Sequence, residues 1–375
     1  MPTVATRGLE DVVASPSSIC FIDGNRGILA YRGYDIHDLA ERSSFTETTY
    51  LLWHGRLPRA EELAALERQL HAAMNLPEPV LAMLRQWPPD AAPMDTLRTA
   101  VSALGLYDPE ARLMTPEANR NKALRLLAQT PVLVAALERA RRHQPLPAPD
   151  PALSLPANFL YLLTGAKPGK TAERAMDIAL ILHADHEFNA STFAARVTAA
   201  TLSDLHSAVT SALGALKGPL HGGANEAVIR LLLELEGRDP VQMVQDKLAA
   251  RQKIPGFGHR VYHTEDPRAT HLRQMAKELT QSSGHTQLYE ASRQIEQYIN
   301  REKHLNANVD FYSASVYYSL GIAPDLYTPV FAISRMSGWT AHVLEQYADN
   351  RLIRPRAEYI GPEVPQSYLP IDQRG

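Results

Sequence analysis

The feature that most constrains the fold of this chain is a helical spacing of apolar residues, which recurs over nearly the whole sequence. The period is clearest in segments 59–75, 79–87, 94–107, 119–143 and 227–235. One stretch departs from it, because residues 19–33 have the pattern of a small β-hairpin with Asp23 and Gly24 in the turn. The sequence therefore predicts an all-α protein with a small N-terminal β-hairpin.

Local signals predict several helix boundaries. Ser44 and Glu47 have the spacing of a capping box at one helix start. Segment 172–186 is apolar nearly all round, which predicts a buried helix. We expect Pro329 to begin another helix, with Thr328 as its N-cap.

Length and charge limit the classes of function. The 375 residues exceed the roughly 250–300 at which single hydrophobic cores stop growing, so two domains are expected. The five prolines of segment 144–156 indicate either a linker or a stiff surface connection between helices. The net charge of −3 includes no basic excess that would favour nucleic acid, and no polybasic run that would favour an anionic membrane.

Three further observations point to the cytoplasm. Cys20 is the only cysteine, so an intramolecular disulfide is excluded and a reducing compartment is expected. The longest apolar stretches, such as 178–182, are far shorter than the roughly 20 residues of a membrane span. The N-terminal residues lack the basic start and apolar core of a signal peptide.

The stretch ILHADHEFNAST contains two histidines. His183 and His186 lie three residues apart, so we expect them to share a helix face. Glu187 follows them, but the spacing differs from the His-Glu-x-x-His of zinc hydrolases. The two side chains are therefore either functional groups or hydrogen-bonded core residues.

The stretch GPLHGGANEA places a histidine among glycines, directly before a predicted helix. The first turn of a helix holds unpaired N–H groups and the positive end of the dipole. We therefore expect His221 to stay neutral and to donate a hydrogen bond, as an electrophilic histidine does when it polarises a carbonyl. The alternative is a glycine-rich turn with an incidental histidine.

The stretch KIPGFGHRVYHTEDPR predicts a tight loop over 253–258 that ends at His259, with Arg268 nine residues further on. Its two glycines resemble part of a phosphate-binding loop. Neither a third glycine nor a Gly-Lys-Ser/Thr sequence follows, so the dinucleotide-binding and P-loop interpretations are weak.

Two charged residues lie in apolar surroundings near the C-terminus. Asp310 is flanked by Val309 and Phe311, and Arg335 lies within an apolar helical segment. A buried arginine needs an anionic partner. If the protein supplies none, a substrate carboxylate can.

Six segments occur in the order, and at roughly the separations, of the citrate synthase family. They are HADHEFNAST, GPLHGGANEA, PGFGHRVY with DPR, NVDFYS, ISRMSGW and RLIRPRAEY. The likeness covers essentially the whole chain and is close to the shorter bacterial and archaeal members. It implies an all-α fold of two domains, the larger from residues 1–222 plus 321–375 and the smaller from 223–320.

The resemblance also implies a reaction. The family condenses acetyl coenzyme A (acetyl-CoA) with oxaloacetate and hydrolyses the product thioester, the entry step of the tricarboxylic acid cycle. By similarity, Asp310 is the base, His221 donates to the thioester oxygen, and His259 is the acid at the oxaloacetate carbonyl. The side chains expected to hold oxaloacetate are His186, His221, His259, Arg268, Arg335 and Arg354.

The resemblance implies partners as well. Arg354 would come from the neighbouring subunit of a homodimer. Arg356 of the same RPR triplet is the alternative for this contact. Assembly beyond the dimer stays open. Acetyl-CoA is a substrate, and neither a cofactor nor a metal ion is expected. The loop resembling the family's coenzyme A (CoA) contact comprises Lys253, Ile254, Pro255, Gly256, Phe257 and Gly258, followed by Arg260.

Three rival interpretations remain. The nearest is 2-methylcitrate synthase, which uses propionyl-CoA, since one extra methylene changes binding by only about 1–3 kcal/mol. A non-catalytic helical scaffold of the same fold would not need His221, His259 and Asp310 together. A metal-dependent hydrolase built on His183 and His186 is the most distant.

Overall fold

The structure of the protein is a computed structural model that describes residues 7–9 and 12–374. Within these residues, α-helices account for most of the chain. They are α1 (Ile36–Arg42), α2 (Phe45–His54), α3 (Ala60–Ala73), α4 (Glu78–Gln86), α5 (Pro93–Tyr107), α6 (Pro116–Arg141), α7 (Leu155–Thr164), α8 (Lys170–His183), α9 (Ala190–Ala200), α10 (Leu205–Leu216), α11 (Ala224–Leu233), α12 (Pro240–Ala249), α13 (Pro267–Ser282), α14 (Thr286–Lys303), α15 (Val309–Ser319) and α16 (Tyr327–Ala348). The predicted all-α class is confirmed.

The predicted N-terminal hairpin is present and has one more strand than expected. Strands β1 (Cys20–Asp23), β2 (Ile28–Tyr31) and β3 (Tyr34–Asp35) form an antiparallel sheet in that order. The carboxylate of Asp23 accepts hydrogen bonds from the N–H groups of Asn25 and Arg26, which closes the first turn.

Two of the predicted helix starts have different outcomes. Oγ of Ser44 accepts from the N–H of Glu47 at 3.1 Å and caps α2 as predicted, although the Glu47 carboxylate accepts from the Ser43 hydroxyl. The prediction that Thr328 caps a helix beginning at Pro329 was wrong. Helix α16 already begins at Tyr327, and the Thr328 hydroxyl instead donates to the carbonyl of Gly222 at 2.8 Å.

Helix α16 forms the centre of the fold. It packs against α2, α6, α8, α9 and α10, and most of its side chains are buried. Segment 144–156 connects α6 to α7, which pack against each other, so the prolines stiffen a connection between neighbouring helices.

Helices α11 to α15 pack largely on one another. They meet the rest of the chain where α13 contacts α1 and α8, and where α11 contacts α16. The division into two domains at residues 222 and 321 stays a prediction. Along residues 7–9 and 12–374, every helix is too short or too polar to cross a membrane.

Candidate active site

His186 lies in the turn between α8 and α9, so the prediction that it shares a helix face with His183 was wrong. Helix α8 ends at His183, and Oδ1 of Asn189 caps α9 by accepting from the N–H of Thr192 at 3.2 Å. The His186 ring is buried, with Nε2 at 3.2 Å from the Tyr262 hydroxyl. Burial first, then the charge of Arg268, holds its pKa well below the ordinary value.

The turn that carries His186 is fixed by buried contacts. Asp185 and His342 are both fully buried and lie 3.2 Å apart. The Tyr31 hydroxyl accepts a hydrogen bond from the N–H of Asp185 at 3.2 Å. Gly338 of α16 lies so close that a Cβ there would stand 2.3 Å from the carbonyl oxygen of Ala184. These contacts orient the turn before any substrate arrives.

His221 lies in the turn that precedes α11. Its Nε2 is 2.8 Å from Oγ of Ser191, across from the start of α9. Burial, and then the charge of Arg335, lowers its pKa to about 4. The expected direction is therefore correct, and burial and the neighbouring arginine both contribute to it.

Ser191 is the centre of a hydrogen-bond network that decides where the proton of His221 lies. The indole Nε1–H of Trp339 donates to Oγ of Ser191 at 3.1 Å, and Oδ1 of Asn189 lies 2.7 Å from the same Oγ. A serine hydroxyl has one proton to donate. If Ser191 donates this proton to Asn189, the neutral His221 ring must carry its own proton on Nε2 and donate it to Ser191. If Ser191 donates to Nε2 of His221, the imidazole proton lies on Nδ1.

His259 has a fixed tautomer. Its Nδ1 accepts hydrogen bonds from the backbone N–H groups of Val261 at 3.0 Å and Tyr262 at 3.2 Å. Burial and the charge of Arg268 lower its pKa to about 4, so the ring is neutral near pH 7. A neutral imidazole that accepts at Nδ1 carries its proton on Nε2. His259 is therefore a ready donor, and its ring centre lies 5.3 Å from that of His186.

Two buried arginines accompany the histidines. Arg335 is 1% exposed, donates from Nε to the carbonyl of His183 at 2.8 Å, and has no hydrogen-bond partner at Nη1 among the described residues. Arg268 is paired with Asp266 through Nε at 2.9 Å and Nη2 at 2.8 Å. Arg335 is therefore buried, as the sequence predicted, and it forms no ion pair within residues 7–9 and 12–374.

Asp310 lies in the first turn of α15, which Asn308 caps. Burial raises the pKa of its carboxyl to about 6, with Arg268 and Arg335 acting in the opposite direction. The charges of these two arginines act on both His186 and Asp310. Asp310 therefore lies within range of the same two arginine charges as His186, as a carboxylate with increased basicity.

The predicted CoA loop is attached to the segment that leads into Asp310. The N–H of Gly258 donates to the carbonyl of Asn306, and the N–H of Asn308 donates to the carbonyl of Gly256, both at 2.9 Å. Gly256 has φ +82, and a Cβ there would stand 2.8 Å from the Phe311 ring. Lys253 and Arg260 are exposed at the two ends of this loop.

The remaining predicted residues lie elsewhere. Arg354 and Arg356 are exposed in the irregular C-terminal segment. His183 is fully buried, with Nδ1 at 2.8 Å from the Ala179 carbonyl, which matches a hydrogen-bonded core residue. Across the residues that the structure describes, three or more histidine, cysteine or acidic side chains nowhere meet in a metal-binding arrangement.

Sequence reasoning missed five residues that orient the site. They are Asn189, Ser191, Tyr262, Asp266 and Trp339. All five lie within the motifs HADHEFNAST, HRVYHTEDPR and ISRMSGW. Their proximity in sequence to the predicted histidines and arginines could have identified them.

Comparison with known proteins shows the family to which the chain is related. Residues 8–356 match the family described as "Citrate synthase, C-terminal domain". "Citrate synthase 2" of Bacillus subtilis is 53% identical over 372 residues, which cover 99% of each chain. "Citrate/2-methylcitrate synthase" of the same organism is 45% identical, covering 95% of this chain and 96% of that one.

A solved structure matches equally well. It is the ternary complex of carboxymethyl coenzyme A and oxaloacetate with citrate synthase from Thermoplasma acidophilum, at a TM-score of 0.91 and 36% identity, covering 98% of each chain. Sequence and fold agree over nearly the whole chain: the chain belongs to the citrate synthase family of transferases.

Proposed function

We propose that this enzyme condenses acetyl-CoA with oxaloacetate and water to give citrate and CoA. The observation that carries the proposal is Arg335, a buried guanidinium with an unpartnered Nη1 beside a group of neutral histidines. A buried cation without a protein anion is stabilised when a substrate carboxylate binds it. The Thermoplasma acidophilum relative in complex with oxaloacetate and a CoA analogue supports a dicarboxylate at this position.

Oxaloacetate binds first in this proposal. Arg335 grips one carboxylate through Nη1, and Arg268 offers its remaining Nη1 group to the other while Asp266 holds its orientation. His186, kept neutral, adds a hydrogen bond from the ring that faces Tyr262. The substrate's negative charge is then compensated by side chains that the fold has already oriented.

Asp310 and His221 then act on acetyl-CoA. The carboxylate of Asp310 removes a proton from the acetyl methyl group, and its raised pKa makes it a stronger base than an ordinary aspartate. The developing oxyanion needs a preorganised donor, which is worth about 3–4 kcal/mol in comparable sites. His221 supplies it from Nδ1 when Ser191 donates to Nε2.

His259 completes the carbon–carbon bond. The enolate carbon attacks the keto carbon of oxaloacetate, and the oxygen that forms there takes the proton that His259 holds on Nε2. Water then hydrolyses the citryl thioester: one water proton returns to Nε2 of His259, and the proton that Asp310 took from the methyl group leaves with the CoA thiol. His259 must be neutral before this step, because the two backbone N–H groups that donate to Nδ1 require a lone pair on that atom.

CoA itself is assigned to the loop 253–258. Its attachment to segment 306–308, which leads into Asp310, supports a thioester bound beside that carboxylate. The exposed side chain of Lys253 suits a phosphate group, and Arg260 is assigned the same role. Acetyl-CoA is consumed as a substrate, and the proposed reaction uses no cofactor.

The active enzyme is proposed to be a homodimer. Leu106 and Leu202 are 82% and 60% exposed and, with Leu113, line one groove beside α5 and α10. Large exposed apolar side chains that share one groove can mark an interface. The C-terminal segment that carries Arg354 also exposes large apolar side chains, including Ile360 and Tyr368, which a second copy would cover. Arg354 would then reach the partner's oxaloacetate.

The second candidate function is 2-methylcitrate synthase. The relative named "Citrate/2-methylcitrate synthase" at 45% identity favours it. Discrimination between an acetyl and a propionyl group depends on about 1–3 kcal/mol of pocket binding. The single cysteine suits the reducing cytoplasm for either activity.

The deciding experiment measures CoA thiol release with acetyl-CoA and with propionyl-CoA, each with and without oxaloacetate. Citrate synthase activity gives the higher kcat/KM with acetyl-CoA, and a preference for propionyl-CoA would reassign the substrate. Asp310→Asn is the control for site-dependent release. Absence of oxaloacetate-dependent release with both thioesters would favour the non-catalytic scaffold, and inhibition by a chelator would favour the metal-dependent hydrolase.

A further inference from the structure

The turn of the N-terminal hairpin touches the loop that carries His259. The carbonyl of Gly24 accepts a hydrogen bond from the N–H of His263 at 3.0 Å. A Cβ on Gly24 would lie 1.9 Å from the carbonyl oxygen of Val261 and 3.4 Å from the nitrogen of Tyr262. The peptide group between Val261 and Tyr262 therefore lies directly against the Cα of Gly24.

Backbone conformation does not explain this glycine. Gly24 is not among the residues with positive φ, so an alanine could adopt its conformation. Gly33, between β2 and β3, shows the opposite case, because it has φ +87 with no atom within 4 Å of its missing Cβ. Gly24 is thus required by space alone, and the space is occupied by the Val261–Tyr262 peptide.

The same peptide group orients His259. Its N–H, on Tyr262, donates to Nδ1 of His259 at 3.2 Å, and the preceding N–H, on Val261, donates at 3.0 Å. One end of the peptide therefore rests on Gly24, and the other end helps to keep the His259 proton on Nε2.

We propose that Gly24 is a positioning residue that fixes the tautomer of His259 through the Val261–Tyr262 peptide. An alanine would force this peptide or the hairpin turn to retreat by about 1 Å, because real Cβ atoms essentially never lie within 3.0 Å of another heavy atom. Where the peptide moves, the N–H of Tyr262 shifts relative to Nδ1 and its hydrogen bond is distorted. The consequence for turnover rests on the proposed function, in which the Nε2 proton of His259 is transferred.

The test uses the full-length enzyme with ¹⁵N-labelled histidine. The imidazole signals of His259, assigned by their loss in His259→Gln, report which nitrogen carries the proton. In the wild type we expect a proton on Nε2 alone, and in Gly24→Ala a mixture of both tautomers. Misplacement by about 1 Å can cost roughly 100-fold in rate, so we expect kcat to fall by about that factor, with a smaller change in the KM for oxaloacetate.

Gly33→Ala is the control, since it strains the same hairpin without touching the loop. Its His259 tautomer should match the wild type. If Gly24→Ala does not fold, Gly27→Ala replaces it: Gly27 has φ +65, similar to Gly33, but its Cβ would meet Oγ1 of Thr264 at 2.8 Å. Thr264 follows Tyr262 by two residues in the same loop, so this clash should displace the loop and perturb the tautomer where Gly33→Ala does not.

The two readouts separate the two proposals. A wild-type tautomer in folded Gly24→Ala, or in Gly27→Ala when that variant is used, overturns the positioning role whatever the rate. A mixed tautomer supports it. If the tautomer is mixed and kcat is unchanged, the positioning role stands and the acid role proposed for His259 is wrong.

Discussion

Oγ of Ser191 lies 2.8 Å from Nε2 of His221 and accepts the indole N–H of Trp339. Because the serine has a single proton, it can donate either to Asn189 or to His221, but not to both. Only the second arrangement leaves a proton on Nδ1 of His221 for a substrate oxygen.

We expect Ser191→Ala to lower kcat by roughly 5- to 150-fold, the equivalent of the roughly 1–3 kcal/mol lost when a buried polar group loses its partner. The variant leaves Trp339 Nε1 and His221 Nε2 without their common partner. Ser292→Ala is the matched control, because Ser292 is also fully buried and donates only within α14, to Leu288. Equal kcat losses in the two variants would contradict the role of Ser191.

The rate should depend on the ionisation of Asp310. Its carboxyl has a pKa raised to about 6, and only the carboxylate can remove a proton. We therefore expect kcat/KM to rise with pH up to about pH 6 and to level off above it. Asp310→Asn should lose about 100-fold or more in kcat while binding of oxaloacetate, measured by calorimetry, is retained. Near-wild-type turnover in this variant would remove Asp310 from the mechanism.

The ionised carboxylate of Asp310 should lower the free energy of unfolding. A carboxyl with a pKa raised on folding binds its proton more tightly in the folded state, so stability falls as pH rises from about 4 to about 6 and stays lower above that. Asp310→Asn should raise the free energy of unfolding by about 3 kcal/mol at pH 8, with almost no gain at pH 4. Denaturant unfolding at both pH values, with exposed Asp90→Asn as control, measures this.

His221 should remain neutral well below pH 7. Burial and the charge of Arg335 lower its pKa to about 4. An NMR titration of its ring in the free enzyme should show no protonation between pH 8 and about pH 5. An imidazolium that persists above neutral pH is incompatible with a donor to the thioester oxygen.

Subunit mixing tests the shared site. Arg354→Ala and Asp310→Asn should each be inactive alone, since loss of one partner of a buried charge pair costs roughly 2–5 kcal/mol in comparable interfaces. In a mixed dimer, one site carries both changes and the other carries neither. Half of the dimers are mixed and half of their sites are intact, so activity should recover to about a quarter of wild type. Inactive mixed dimers would place Arg354 in its own subunit or assign the contact to Arg356.

The sequence by itself determined the helical class, the hairpin, and the residue types of the site. Periodic apolar residues specify helices locally, and Ser44 caps α2 through a contact between near neighbours in the chain. A buried arginine in an apolar segment already implied an external anion, and Arg335 has an unpartnered Nη1. These features depend on short-range order or on the chemistry of single side chains.

Only the tertiary structure decided the protonation and orientation of the site. The cause of the lowered pKa of His221 is burial and Arg335, which lies more than a hundred residues away in the sequence. The tautomer of His259 follows from two backbone N–H groups, and their peptide is seated on Gly24 at the other end of the chain. The end of α8 before His186 likewise depends on the packing of Ala184 against Gly338. Desolvation and close backbone contacts arise from groups that are distant in sequence, so no local pattern of residues encodes them.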